Sequence, residues 1–225
     1  MNMRHNRLTK SLLIGMLISF YLVTDAFSLT AEAAKKNNGI NTHTVDYIDK
    51  DGELIISLPE QEHILYFSDD LALMQKDGKQ VYIDRAGKTV LEPTKYYSDS
   101  GPFADGLATV RLGLSWGYMN KAGEVVVKPV FRATRMFHEG FAAVKVADKQ
   151  WCFIEHEGRL VLLANYQEAR PFSEELAAVQ MNGRWGYIDK HGMQVIACRY
   201  SNVHSFADGR AAVCLYGRWG FIDKK

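Results

Sequence analysis

Aromatic and apolar residues recur along this chain with a period of 34–36 residues. The first marker is an aromatic ring in a short Tyr-Ile-Asp-like segment, found at Tyr47, Tyr82, Tyr118, Phe153, Tyr187 and Phe221. Every Trp of the protein stands two residues before one of these rings, at Trp116, Trp151, Trp185 and Trp219. Different residue types do not keep one period by chance, so the pattern predicts tandem structural repeats.

Two further markers keep the same period. A Gly follows the aromatic ring by five residues, at Gly52, Gly87, Gly123, Gly158 and Gly192. A Phe precedes a Leu-Ala-like pair, at Phe67, Phe103, Phe137, Phe172 and Phe206. Together the markers divide residues 45–225 into five repeats and a terminal partial repeat, which we expect to form a single domain.

Each repeat predicts three short antiparallel strands. In residues 176–189, two apolar runs flank Asn182-Gly183, a dipeptide typical of two-residue hairpin turns, in which both positions need positive φ. This register sets Val179 opposite Gly186, where the glycine would leave space for the valine. A second turn, Asp-x-x-Gly, follows, and then a third strand rich in β-branched residues. No stretch has a helical period, so the predicted fold class is all-β.

The repeat contains a specific motif. It is complete in Trp185-Gly186-Tyr187-Ile188-Asp189, Gly192, Val195-Ile196, Tyr200, Phe206 and Ala211-Ala212. In this pattern the chain resembles bacterial WG-repeat proteins over about residues 45–225. The resemblance implies a β-rich repeat module, often exported or surface-associated, with no defined catalytic residues. The first two copies depart from it, since they have Val45-Asp46 and Gln80-Val81 in place of Trp-Gly.

The stacking of the repeats leaves two architectures open. A three-stranded unit cannot bury its own apolar face, so neighbouring units must cover one another. We favour an open, solenoid-like array of three-stranded units. The alternative is a closed ring like a β-propeller, whose blades usually have four strands and about 40–50 residues. If the first and last repeats combined to close such a ring, each would supply the middle strand of the same unit, and that strand would be present twice.

The N-terminal segment predicts export. Basic residues within 1–10 precede an apolar run at 11–23, and Ala31-Glu32-Ala33 then offers a cleavage site. This order is typical of a signal peptide spanning residues 1–33, with an uncleaved anchor as the alternative. Residues 34–44 are polar and read as a flexible linker. We therefore expect a secreted or extracytoplasmic protein.

The net charge of the chain after signal cleavage argues against some classes of binding partner. Removal of residues 1–33 takes away three basic and two acidic residues and leaves 24 of each. A chain without net charge has no evident attraction to nucleic acid or to anionic lipid. We expect no nucleic-acid partner and no membrane contact after signal cleavage.

Reactive side chains follow no catalytic pattern. Cys152, Cys198 and Cys214 do not recur between repeats, and a bridge between the last two stays open. The recurring carboxylates occur once per repeat beside turns, which favours turn capping over catalysis. Asp49 and Asp51 resemble only part of a calcium loop. We expect no cofactor, no metal site and no enzyme activity.

The function expected from this sequence is binding. The leading hypothesis is a non-enzymatic module that binds a protein partner through its repeated β surface. The alternative is a module that binds cell-wall or extracellular glycan through a row of Trp rings. Candidate ligand-binding residues are Trp116, Trp151, Trp185, Trp219, Arg184 and Arg218. The expected structural anchors are Tyr118, Tyr187, Phe221, Gly123, Gly158, Gly192, Phe103, Phe137, Phe172 and Phe206.

Overall fold

The structure is a computed structural model that describes residues 44–48, 52, 54–59, 63–93, 96–147 and 150–224. The predicted signal peptide lies outside the described residues, as does the predicted linker apart from Thr44. Asp49 and Asp51 also lie outside them. The regular structure of the described residues is entirely β.

The strands form six antiparallel sheets that follow one another along the chain. The first sheet contains β1 (Thr44–Ile48) and β2 (Leu54–Pro59), and the second contains β3 (His63–Ser68), β4 (Leu71–Lys76), β5 (Lys79–Ile83) and β6 (Thr89–Leu91). The third contains β7 (Asp99–Ala104), β8 (Leu107–Leu112), β9 (Ser115–Asn120) and β10 (Val125–Phe131). The fourth contains β11 (Ala133–Thr134), β12 (Phe141–Ala147), β13 (Gln150–Glu155) and β14 (Leu160–Tyr166). The fifth contains β15 (Glu168–Ser173), β16 (Leu176–Met181), β17 (Arg184–Ile188) and β18 (Gln194–Tyr200), and the sixth contains β19 (Asn202–Val203), β20 (Ala211–Leu215) and β21 (Arg218–Ile222).

The predicted all-β class of repeated antiparallel sheets is confirmed. The three strands predicted for each repeat are the second, third and fourth strands of a complete sheet. The predicted count is one strand short, because a further strand that contains or precedes the recurring Phe adds to the sheet edge. In β7 and β15 this strand contains Pro102 or Pro171. An edge strand tolerates proline, whose missing N–H then faces away from the sheet.

The predicted hairpin register is also confirmed. Val179 pairs with Gly186 between β16 and β17. The same pairing recurs as Val110 with Gly117 in the third sheet. The turn at Asn182-Gly183 has positive φ at both residues, as a two-residue hairpin of this type requires.

Tyrosine hydroxyls join the second sheet to the third, the third to the fourth and the fifth to the sixth. Tyr82 donates a hydrogen bond to the carbonyl oxygen of Gly101 at 2.6 Å, although Tyr82 belongs to the second sheet and Gly101 to the third. Tyr118 makes the same contact with the carbonyl oxygen of Arg135 at 2.7 Å. Tyr187 repeats it at 2.7 Å with His204. Repetition of one contact shows that consecutive sheets stack in the same way.

Aromatic rings fill the space between consecutive sheets. The ring of Tyr118 packs on Phe137 with centroids 4.8 Å apart, and Tyr187 packs on Phe206 at 4.9 Å. All four rings are at most 1% exposed. Edge-to-face ring pairs of this kind add stabilisation beyond the burial of their area. Among the expected anchors, Tyr118, Tyr187, Phe137 and Phe206 therefore lie in the core of the stack.

The described sheets form an open array. The extensive contacts between sheets join neighbours in chain order. Among the described residues, the first and sixth sheets share no paired strands. Phe221 of β21 is 71% exposed because none of the described sheets covers it, whereas the corresponding Tyr118 and Tyr187 are fully buried.

Candidate functional site

The four Trp residues lie along one edge of the array. The hairpin between the second and third strands points the same way in each sheet, because the complete sheets share one strand order. Each Trp is the first or second residue of a third strand, next to this hairpin. We call this edge the Trp edge, defined by Trp116, Trp151, Trp185 and Trp219.

The Trp rings differ in exposure along the edge. Trp151 is only 4% exposed and belongs to the core cluster that joins the fourth and fifth sheets. Trp116 and Trp185 are partly buried. Trp219 is 45% exposed, since the sixth sheet has no described neighbour beyond it. A continuous exposed row of four rings is therefore not present.

A cationic side chain lies over each of the three more buried Trp rings. Arg135 is 5.0 Å from the centre of Trp151, and Arg170 is 5.2 Å from that of Trp185. These distances are typical of cation–π contacts. Burial lowers the pKa of Arg170, with a smaller opposing contribution from Tyr187.

The other two rings have different partners. Arg111 lies 5.6 Å from the ring of Trp116, and the His204 ring lies 5.4 Å from that of Trp219. Arg111, Arg135 and Arg170 were not among the predicted site residues. The signal was the recurrence of Arg two residues before Phe137 and Phe172.

The hairpin tips of the Trp edge present exposed apolar side chains between arginines. Leu114 is 83% exposed and Tyr216 is 88% exposed. Met181 is also exposed, and Arg184 and Arg218 stand exposed on the same hairpins. Arg184 and Arg218 were predicted as candidate ligand-binding residues, whereas the apolar side chains at the tips were not.

Carboxylates at the opposite edge have structural partners. Asp84 accepts hydrogen bonds from its own turn, from the N–H groups of Ala86 and Lys88. Asp189 does the same in the fifth sheet, with the N–H groups of His191 and Met193. These contacts agree with the turn-capping interpretation of the Asp-x-x-Gly positions.

The carboxylates that follow the recurring Phe act differently, and their assignment to turn capping is wrong. Each reaches the next sheet and accepts a hydrogen bond from a backbone N–H about 35 residues further along the chain. The pairs are Asp69 with Gly106 at 2.8 Å, Asp105 with Gly140 at 2.9 Å, Glu139 with Glu175 at 2.9 Å and Glu174 with Gly209 at 3.0 Å. The spacing of one repeat shows that these carboxylates join neighbouring sheets.

A lysine that follows the Asp or Asn at the end of the third strand lies near three of these four carboxylates. Lys190 lies 3.3 Å from Glu139 and 2.9 Å from Glu175. Lys121 and Lys224 occupy the same position in their repeats and pair with Asp69 at 3.4 Å and with Glu174 at 3.0 Å. Burial acts to raise the pKa of Glu174, but the N–H of Gly209 and the ammonium of Lys224 lower it overall. The recurring carboxylates thus hold sheets together.

The cysteines are free thiols in this structure. Cys152 and Cys214 are buried and Cys198 is half-buried. Burial raises the pKa of both Cys152 and Cys198, which disfavours their thiolate forms. Within the described part of the chain, no group of three His, Cys, Asp or Glu side chains is placed to hold a metal ion. That part also contains no helix with the length and apolarity needed to span a membrane.

Comparison with known families identifies the repeat. A family model described as the WG containing repeat matches five consecutive segments, residues 47–79, 82–113, 116–149, 151–185 and 185–219. This chain belongs to the WG repeat family. The family resemblance seen in the sequence is thereby confirmed, and the match includes the first two copies, which lack Trp-Gly.

Solved structures resemble the WG repeats in fold alone. Hsv2 of Kluyveromyces lactis is 11% identical with a TM-score of 0.54, over 82% of this chain and 69% of that chain. The computationally designed Ika8 protein is 13% identical with a TM-score of 0.51, over 83% of this chain and 70% of that chain. The structural neighbours include proteins of repeated, propeller-like β architecture. No curated protein matches the chain.

The structure explains the glycine of the WG motif. A Cβ atom at Gly186 would overlap the carbonyl oxygen of Ile196 and lie 2.7 Å from the backbone nitrogen of Cys198. Gly117 meets the backbone of β10 in the same way. The glycine therefore makes room for the fourth strand of its sheet. The expectation that this space serves Val179 is wrong, although Val179 does pair with Gly186.

Proposed function

We propose that this WG-repeat chain is an exported, non-enzymatic module that binds a protein partner through the hairpin tips of the Trp edge. The observation that carries the proposal is the exposure of Leu114, Met181 and Tyr216 beside Arg184 and Arg218. Isolated exposed apolar residues are common on protein surfaces. Their recurrence at equivalent hairpin tips is what supports a binding surface.

The side chains at the tips suit a protein partner. Tyr, Met and Arg are enriched in protein–protein interfaces, and Tyr and Arg are frequent among the residues that dominate their energetics. The tips project from paired strands, so their backbone is held before binding and little ordering is needed. Repeat proteins commonly bind through residues that vary between repeats on such an extended surface.

The alternative of glycan binding through the Trp row has weaker support. Trp116, Trp151 and Trp185 each have a cation over the ring. These cations occupy ring faces on which a sugar would stack. Trp219 is the one Trp whose exposure suits such a contact.

Crosslinking from chosen surface positions tests the protein-binding proposal. A photoreactive phenylalanine analogue replaces Tyr216 at the Trp edge, and in a control protein it replaces Met193, which is exposed at the opposite edge. In the cells that make the protein, we expect a discrete protein adduct from position 216 alone. Combined Arg184→Glu and Arg218→Glu changes should abolish the adduct. Equal adducts from both positions, or none from position 216, would contradict the proposal.

The export proposal rests on the N-terminal sequence pattern. Cleavage after Ala33 would give a mature protein that starts at Ala34. Mass spectrometry of the N-terminal peptide from fractionated cells measures this directly. An extracytoplasmic protein starting at Ala34 supports the proposal, and a cytoplasmic protein that retains residues 1–33 contradicts it.

A further inference from the structure

A cavity of about 340 Å³ lies between the second and third sheets at the Trp edge. Gln75 and Gln80 of the second sheet contribute to one wall, and Tyr97 and Asp99 contribute to the other. Leu114, Met181 and Tyr216 of the hairpin tips described above are not among the residues that line the cavity. It is open to solvent and large enough for a small molecule or a single side chain of a larger ligand.

The cavity lies where a later repeat has an indole. Gln80 stands at the position that Trp151 occupies two repeats later. In the later repeat, the indole and the guanidinium of Arg135 fill the gap between the fourth and fifth sheets. Replacement of the indole by an amide leaves an opening at the same place in the stack.

Hydrogen bonds across the gap hold the wall of the cavity in place. The side-chain oxygen of Gln80 accepts hydrogen bonds from the N–H of Ser100 at 2.8 Å and from its hydroxyl at 3.0 Å. The amide nitrogen of Gln80 donates to Asp99 at 3.2 Å. These contacts join β5 to β7 and fix the spacing of the two sheets. A wall held in this way requires little ordering when a ligand binds.

The lining alternates hydrogen-bond donors and acceptors. The amide of Gln75, the ammonium of Lys79 and the carboxylate of Glu92 surround the opening. An apolar ligand would remove water from these groups without replacing its hydrogen bonds, at a cost in free energy. The ligand must therefore be polar.

Charged side chains of both signs line the cavity, which favours a ligand without net charge over an ion. Glu92 and Asp99 are acidic, and Lys79 is basic. Arg111 lies opposite Asp99 in the pairing of β7 with β8. The ring of Tyr97 and Pro93 add apolar surface to the lining.

From these features we infer that the cavity binds a neutral sugar residue. A pyranose carries hydroxyl groups that both donate and accept, which matches the mixed amide, carboxylate and ammonium lining. Its C–H face is apolar and suits the ring of Tyr97. This site goes beyond the proposed protein-binding function and does not depend on the hairpin tips.

Saturation-transfer NMR on the purified protein tests the site. The probes are glucose, galactose and N-acetylglucosamine, each titrated to about 20 mM, a range suited to weak pocket ligands. We expect saturable transfer from at least one sugar. Gln80→Trp fills the cavity as in the later repeats and should abolish the signal, and Asp99→Asn should weaken binding at least tenfold.

Control variants show whether a loss of sugar binding arises at the cavity, from unfolding or from a change at the hairpin tips. Gln194→Ala removes an exposed amide on β18 and should leave sugar binding unchanged. The combined Arg184→Glu and Arg218→Glu changes should also leave it unchanged, even though they abolish the crosslink at the tips. Thermal unfolding confirms that each variant is folded. The inference is overturned if none of the three sugars binds, or if folded Gln80→Trp or Asp99→Asn protein binds sugar as well as the unaltered chain does.

Discussion

At the scale of single residues, the same motif residue has different roles in different sheets. Gly186 lies under the backbone of β18, whereas a Cβ atom at Gly220 would meet no atom within 4 Å. Both glycines follow a Trp, so the sequence alone gives no reason to distinguish them. The difference arises because β18 pairs with β17, while β21 has no described strand at its outer side.

A matched pair of substitutions tests this account of the glycine. Gly186→Ala should destabilise the protein by about 2 kcal/mol or more, because the added Cβ forces β18 away from β17. Gly220→Ala should change the free energy of unfolding by less than about 0.5 kcal/mol, as expected where no atom is displaced. Urea unfolding measures both. Equal losses in the two variants would contradict the explanation.

The buried tyrosine hydroxyls predict sensitivity to alkaline pH. Burial raises the pKa of Tyr82 to about 12, partly offset by Ser100. An unfolded tyrosine titrates near pH 10, so above that pH the unfolded state loses protons that the folded state retains. Stability should therefore be intact below about pH 10 and fall as the pH rises toward 12, by at most about 1.4 kcal/mol per pH unit for each tyrosine.

Tyr82→Phe separates this titration from other alkaline effects. The variant loses the hydrogen bond to Gly101, which should cost about 1 kcal/mol at pH 8. Its stability should then fall less steeply between pH 10 and 12 than that of the unaltered protein. Urea unfolding at pH 8 and pH 11 provides the comparison. A parallel decline in both proteins would show that Tyr82 does not carry the effect.

At the scale of strands and turns, local patterns predicted most of the fold. Asn182-Gly183 fixed the hairpin register, and the Asp-x-x-Gly spacing located the second turn, because both depend on neighbouring residues alone. The edge strands β7 and β15 escaped prediction, since Pro102 and Pro171 interrupt the alternation that marks a strand. The partners of the carboxylates also escaped it, because their contacts appear only when sheets stack one repeat apart.

The contacts between sheets predict the effect of removing a carboxylate. Glu139→Ala removes the acceptor of the Glu175 N–H and one partner of Lys190. We expect a loss of about 1 kcal/mol, since the hydrogen bond and a partly exposed ion pair both contribute modestly. Glu157→Ala alters an exposed carboxylate in the β13–β14 turn and should have an effect below about 0.5 kcal/mol. Thermal and urea unfolding that show the two variants to be equivalent would contradict the structural role.

At the scale of the whole molecule, each sheet depends on its neighbours in the chain. The free energy of such a stack is close to a sum of sheet and interface contributions. Substitutions at one repeat position should therefore differ according to whether a following sheet covers it. The proposed binding surface likewise belongs to no single sheet, because its tips come from the third, fifth and sixth sheets.

Tyr187 and Phe221 occupy equivalent positions in the fifth and sixth sheets, so substitutions at the two sites measure how much a covering sheet contributes to stability. Tyr187→Ser should cost about 3 kcal/mol or more, since it empties a fully buried site beside Phe206. Phe221→Ser removes a ring that is 71% exposed and should cost less than about 1 kcal/mol. Calorimetric unfolding compares the two. A large loss at Phe221 would mean that its ring is covered in the folded protein.

The central claim is that most Trp rings are built into the gaps between sheets, which leaves the hairpin tips as the binding surface. Acrylamide quenching of Trp fluorescence tests it most directly, in the unaltered protein and in Trp219→Phe. We predict that most of the quenchable emission disappears with Trp219, because Trp151 is buried and cations cover Trp116 and Trp185. If Trp219→Phe protein is quenched as strongly as the unaltered protein, the Trp row is exposed and this account is contradicted.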